Sequence, residues 1–188
     1  MARDIYKGDD EDIVILLRRE STQKAADLSS GVERIKACFT KQTGSTPLNV
    51  YYLPRTASIT NGSDIISVNT TDIAEGQPVV GVGIPAGATV IKTPTSTSSP
   101  TSAGTVQISL NATASNASAS LVFGHISITD APNGEITISL HEEETSVLKT
   151  SLVGTTTTLM SWEVETIISG ITKTVQFLKS LNVIARTC

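Results

Sequence analysis

Charge is scarce in this chain. Charged side chains make up 17% of its 188 residues, where about 25% is ordinary. The net charge of -4 and the isolation of Arg18-Arg19 from Lys173, Lys179 and Arg186 leave no basic stripe. Nucleic acid is therefore not an expected partner, because binding it takes clustered Lys and Arg to displace counterions. Aromatic residues are few as well: three Phe, three Tyr and one Trp, a thin supply for a sugar-stacking platform. No apolar run approaches the roughly 20 residues of a bilayer span, so no membrane is expected. The first residues, Met1-Ala2-Arg3-Asp4, lead into the acidic run Asp9-Asp10-Glu11-Asp12 without the apolar stretch of a signal peptide. The expectation is a protein made in a cytoplasm that stays there or leaves as part of something larger.

What fills the space is Ser and Thr, together about a quarter of the chain. Threonine is β-branched, suits the solvent face of a strand and is a poor helix former, so the composition points to an all-β protein. Short apolar or alternating runs support this. Asp12–Leu17, Val32–Thr40, Asp64–Val68, Ala88–Ile91, Thr105–Leu110, Ala119–Phe123, Ile126–Thr129 and Glu135–Leu140 read as strands, as do Ser161–Ile168, Lys173–Leu178 and Leu181–Ala185. Asn133-Gly134 after Pro132 is a turn signal, and Ser169-Gly170 reads as a hairpin turn. Thr93–Gly104, rich in Ser, Thr and Pro without apolar periodicity, reads as a mobile hairpin loop. His141–Leu148 is the one helical stretch, a turn or two long, with Glu142, Glu143 and Glu144 near its N-terminus where the helix dipole favours them.

Composition also divides the chain. From about Thr56 to Gly124 only Asp64, Asp72, Glu75 and Lys92 are charged. The expectation is a β-sandwich built from residues 1–55 and 125–188, split by an inserted small β domain at 56–124, with residues 55 and 125 close in space.

No catalytic, cofactor-binding or metal-ligating residues are expected, and no cofactor. Gly81, Gly83 and Gly87 have the wrong spacing for a dinucleotide loop, and Pro85 stands where its helix would start. Asp9–Asp12 lacks the alternating carboxylates and central glycine of a calcium loop. His125 and His141 read as surface residues, with no nucleophile elbow to serve. Glu142, Glu143 and Glu144 diverge around one turn, unlike the facing carboxylates of a glycosidase. Trp162 reads as a core anchor of its strand. The four Asn-x-Ser/Thr sequons, beginning at Asn61, Asn69, Asn111 and Asn116, read as by-products of the Ser/Thr content. Cys38 and Cys188 admit two readings. One is a buried thiol at 38 and a free thiol at 188. The other is a disulfide, within a chain or between subunits, that locks an assembled particle outside the reducing cytoplasm.

Tyr6-Lys7-Gly8-Asp9-Asp10 leads to the first strand and Ala26-Asp27-Leu28-Ser29 to the second, followed late in the chain by Ile128–Ile136, Glu142–Leu148 and Trp162-Glu163-Val164-Glu165. On these motifs the outer segments resemble the N-terminal β-sandwich of phage baseplate upper proteins and related tail and fibre attachment modules. That family passes from its second strand to its third without a domain, so the insertion is a departure. The middle carries Ala74-Glu75-Gly76-Gln77-Pro78 running on to Gly87-Ala88-Thr89-Val90, then Val106–Ala114. It resembles a small β module common in phage structural proteins and bacterial surface repeats. The resemblance implies a structural, non-enzymatic part of a tailed bacteriophage virion: a tail, baseplate, neck or fibre-base adaptor. Its implied partners are other virion proteins and further copies in a symmetric homo-oligomer. A capsid decoration protein, or a surface module that takes a host glycan, is the alternative.

Overall fold

The computed structural model describes residues 3–6, 11–18, 24–41, 48–93, 103–141 and 158–184. Among them the protein is all-β, in mostly antiparallel sheets. It divides into two compact units, one comprising Met1–Val50 with Ile126–Cys188 and the other Tyr51–His125. The helical turn expected at 141–148 falls, apart from the exposed His141, outside the described residues.

The first unit holds two sheets. One runs in the order β1 (Arg3–Tyr6), β13 (Ile171–Ile184), β12 (Thr158–Ile168), β3 (Val32–Lys41), and β3 pairs in turn with β4 (Leu48–Ile59). The other runs β10 (Ile126–Asp130), β11 (Glu135–Leu140), β2 (Glu11–Leu16). Each sheet buries one face by strict alternation. Ile35, Ala37 and Phe39 of β3 and Val164 of β12 are buried, as are Ile13 and Ile15 of β2 and Ile136, Ile138 and Leu140 of β11. Two half-apolar sheets of this kind stabilise each other only face to face, which gives the unit its sandwich-like character. On the outer face Arg34 and Glu165 form an ion pair across β3 and β12. Both are partly exposed, so the pair contributes at most about 1 kcal/mol.

Turn chemistry sets the registers. Ser169 and Gly170 both adopt positive φ, 50° and 74°, the pattern of the two-residue turn whose twist matches an antiparallel hairpin, and Ile168 pairs with Ile171 across it. Residues 173–185, expected as two strands, form one: β13 runs unbroken to Ile184 because β12 pairs with it from Ile168 back to Thr158. Between β10 and β11, Asn133 donates from Nδ2 to Asp130 Oδ2 at 2.8 Å and the turn closes through Gly134 N to Ala131 O. Gly134 has φ +67°, and a Cβ there would lie 2.5 Å from Ala26 O and 2.7 Å from Leu17 O. Gly134→Ala is therefore expected to lower the stability of this unit by about 2–4 kcal/mol. A loss of urea midpoint in chemical denaturation checks it, and an unchanged midpoint means the turn relaxes.

The second unit is a ring. β4 (Leu48–Ile59) pairs with β5 (Ile65–Asn69) on one side and β9 (Asn116–Phe123) on the other. Beyond β5 come β8 (Ala103–Ile108) and then β7 (Val90–Lys92). Beyond β9 comes β6 (Val79–Gly81). Just before β6 and β7 the chain pairs with itself: Pro78 bridges Thr89, Val79 N donates to Ala88 O and Val90 N to Gln77 O, each at 2.9 Å. The order β6-β9-β4-β5-β8-β7 thus closes on itself as a small six-stranded barrel. Its interior is one apolar cluster that includes Leu53, Ile66, Val106, Ile108, Leu121 and Phe123. Where the chain comes in and leaves, Leu53 sits opposite Phe123. The unit's boundary at Tyr51 precedes the loss of charge at Thr56, because the 12-residue strand β4 runs through both.

Candidate interaction surface

Among the described residues each strand of the ring has a neighbour on both sides for at least part of its length, so recognition by it falls mainly to loops and outward side chains. The six strands alternate in direction, which sorts the loops into two ends. At the base, where Tyr51 and Gly124 lie, the 70–77 segment is held from below. Arg55 Nη2 donates to Thr71 O at 3.3 Å, and buried Gln77 donates from Nε2 to Asp72 O at 3.1 Å. At the opposite end, the apex, three loops meet: 60–64, 82–89 and 109–115.

These apex loops are tied to one another through the backbone. Gly62 N donates to Ala112 O and Ala112 N to Ser63 O, both at 2.8 Å, while Thr113 N donates to Gly83 O at 2.9 Å. Asn61 N donates to Ser115 Oγ at 2.9 Å and Thr89 N to Ser109 Oγ at 3.0 Å. Such cross-links fix loops that would otherwise lose conformational entropy on binding. Residues 60–64, 82–89 and 109–115 contain a single charged side chain, Asp64, whose Oδ2 accepts from Gln107 Nε2 at 2.7 Å. What they present is amide, hydroxyl and apolar surface, including Val82 at 86% exposure and Leu110 at 42%. Down the side of the ring, Val80 (65% exposed) pairs with Val122, which in turn pairs with Pro54. The arrangement can make mostly uncharged, largely salt-insensitive contacts.

The residues singled out in the sequence are scattered. The Gly81–Gly87 stretch is the β6–β7 connection at the apex, and a strand follows it. Cys38 is a half-buried residue on the outer face of β3, opposite Glu163 in the ladder and not in a disulfide; Cys188 lies outside the described residues. His141 is exposed, but His125, expected at the surface, is buried at 8% exposure. Its place at the unit boundary, next to a glycine, gave no apolar pattern from which burial could be read. Trp162 has Phe39 and Phe177 as its ladder neighbours, and its side chain lies outside what is described, as do Asp9, Asp10 and Glu142–Glu144. Asp12 is exposed and accepts from Ser139 Oγ at 2.6 Å. Among the described residues, no three His, Cys, Asp or Glu gather as a metal would need.

Tyr52 carried no sequence signal of a special environment. Burial pushes its phenol above the ordinary value of 10, because desolvation disfavours the phenolate. Its folded-state pKa is raised, so its contribution to stability is intact below pH 10 and is lost as the pH climbs through the folded value. Absorbance titration at 295 nm is expected to show a tyrosine that ionises later than free tyrosine. Tyr52→Phe removes that late step, and a variant that keeps it assigns the step elsewhere. No family model matches this chain, nor does any curated protein or solved structure.

Proposed function

We propose that this protein is a structural, non-catalytic component of a tailed bacteriophage virion, an adaptor of the tail, baseplate, neck or fibre base. The observation that carries the reading is the inserted ring. Its chain comes in and leaves side by side, and its far end presents a cross-braced cluster of loops that is nearly free of charge. With Asp64 its single charged side chain, that cluster has the build of a display module set into a scaffold. The motif resemblance of both segments to phage structural modules agrees with it. The expected partners are other virion proteins and further copies of this chain. Co-sedimentation of the purified protein with phage particles tests the reading, and a protein that never co-sediments sinks it. Copy number then separates the positions. An adaptor follows the low multiples of a closed ring, whereas hundreds per particle would move the protein to the capsid surface.

A further inference from the structure

We infer that two copies of this chain join edge to edge through β2, antiparallel about a two-fold axis at Ile15. The first observation is an open edge. β2 ends its three-stranded sheet, and among the described residues no strand lies on its other side. Leu17 N donates to Gly134 O at 2.8 Å, on the β11 side. In an antiparallel strand the N–H and C=O of one residue point the same way and successive residues alternate. Asp12, Val14 and Leu16 therefore turn their peptide groups away from β11, toward the open edge. Residues 25 and 26 do not cover it. Ala26 N bonds Leu17 O, the same oxygen that a Cβ on Gly134 would meet, so that segment lies on the β11 side.

The second observation is what the edge carries. Val14 is 53% exposed and Leu16 47%, on a strand type that proteins ordinarily protect. Charge complementarity names the occupant. The stretch Asp12-Ile13-Val14-Ile15-Leu16-Leu17-Arg18 is acidic at one end and basic at the other, and both end residues are exposed. Laid antiparallel on itself with Ile15 opposite Ile15, it sets Asp12 against Arg18 of the other copy and Val14 against Leu16. This register also brings outward-pointing peptide groups opposite each other, as a ladder requires. A shift of two residues either way keeps the ladder but places Asp12 and Arg18 against other partners. Cross-strand pairs of opposite charge and of apolar side chains each favour the pairing. The self-matching is that of an isologous two-fold contact.

The inference deepens the assembly reading by naming a partner surface, and it rests on that reading only in supposing that copies meet. Its test is light scattering on the full chain, comparing wild type with Asp12→Arg, Arg18→Asp and the double exchange. Wild type is expected at twice the 19.7 kDa chain mass, or an even multiple of it. Each single exchange sets like charges opposite each other. It is expected to weaken association at least about tenfold, and the double exchange to restore it. Circular dichroism confirms that each variant is folded. Edge charges that act only to repel neighbours predict no rescue. A monomeric wild type, single exchanges that keep the wild-type mass, or a folded double exchange that stays dissociated each overturn the inference. Particle co-sedimentation is scored separately. Single exchanges that still bind particles and keep their mass defeat only the β2 contact, whereas a dimer that ignores particles defeats only the virion assignment.

Discussion

Gly124→Ala is expected to destabilise the six-stranded ring by about 3–5 kcal/mol, enough to leave it largely unfolded at moderate urea. Two costs add. Gly124 holds φ +114°, where an L side chain carries strain of about 1–3 kcal/mol. The new methyl would also begin 2.0 Å from Tyr51 O and 2.7 Å from its carbonyl carbon. Those atoms are backbone of β4 and cannot turn aside as a flexible side chain could. Moving either strand disturbs the pairing of Leu53 with Phe123 and the bond from Gly124 N to Pro78 O, so the base of the ring opens. Hydrogen exchange should show protection lost across residues 51–125. A variant whose ring amides stay as protected as in wild type would mean that the approach of Gly124 to β4 is not required.

Phe39→Ala is expected to cost the sandwich-like unit about 3–5 kcal/mol. Phe39 is 1% exposed and is among the largest fully buried side chains. Its loss combines the transfer energy of the ring with the cost of the cavity left behind. Trp162, the sole tryptophan, lies opposite Phe39 in the β3–β12 ladder, so its fluorescence reports unfolding at this place. Lys36→Ala, on the half-exposed outer face of the same strand, serves as the control, with an expected change within about 0.5 kcal/mol. Equal urea midpoints for the two variants would remove Phe39 from the core.

Alternation made most strands legible. Glu135–Leu140 reads iBiBiB in burial, as its apolar period of two requires. Three strands were not legible. β1 has four residues and pairs, in parallel, with the distant β13. β6 has three residues within a glycine-rich run. β4 was hidden by Pro54, which argues against a strand interior. β5 pairs with β4 only at Ala57 and Ser58, so at Pro54 one side of β4 has no ladder to that strand.

The interaction surface was less legible than the strands. Its loops were visible as turns, but their meeting at one apex depends on bonds such as Asn61 to Ser115, 54 positions apart. Local sequence holds no record of such pairs. By itself, then, the sequence determined the all-β class, most of the strands and the alternation within them, the turn at Asn133-Gly134 and the charge pattern of β2. These follow from side-chain period and local backbone preference. The tertiary structure alone decided that the middle strands close into a ring, that Gly124 must lack a Cβ, that His125 is buried and that, among the described residues, β2 has a strand on one side only. Each of these depends on which distant strand lies alongside, and long-range pairing is chosen by the burial of whole faces rather than by any residue's neighbours in sequence.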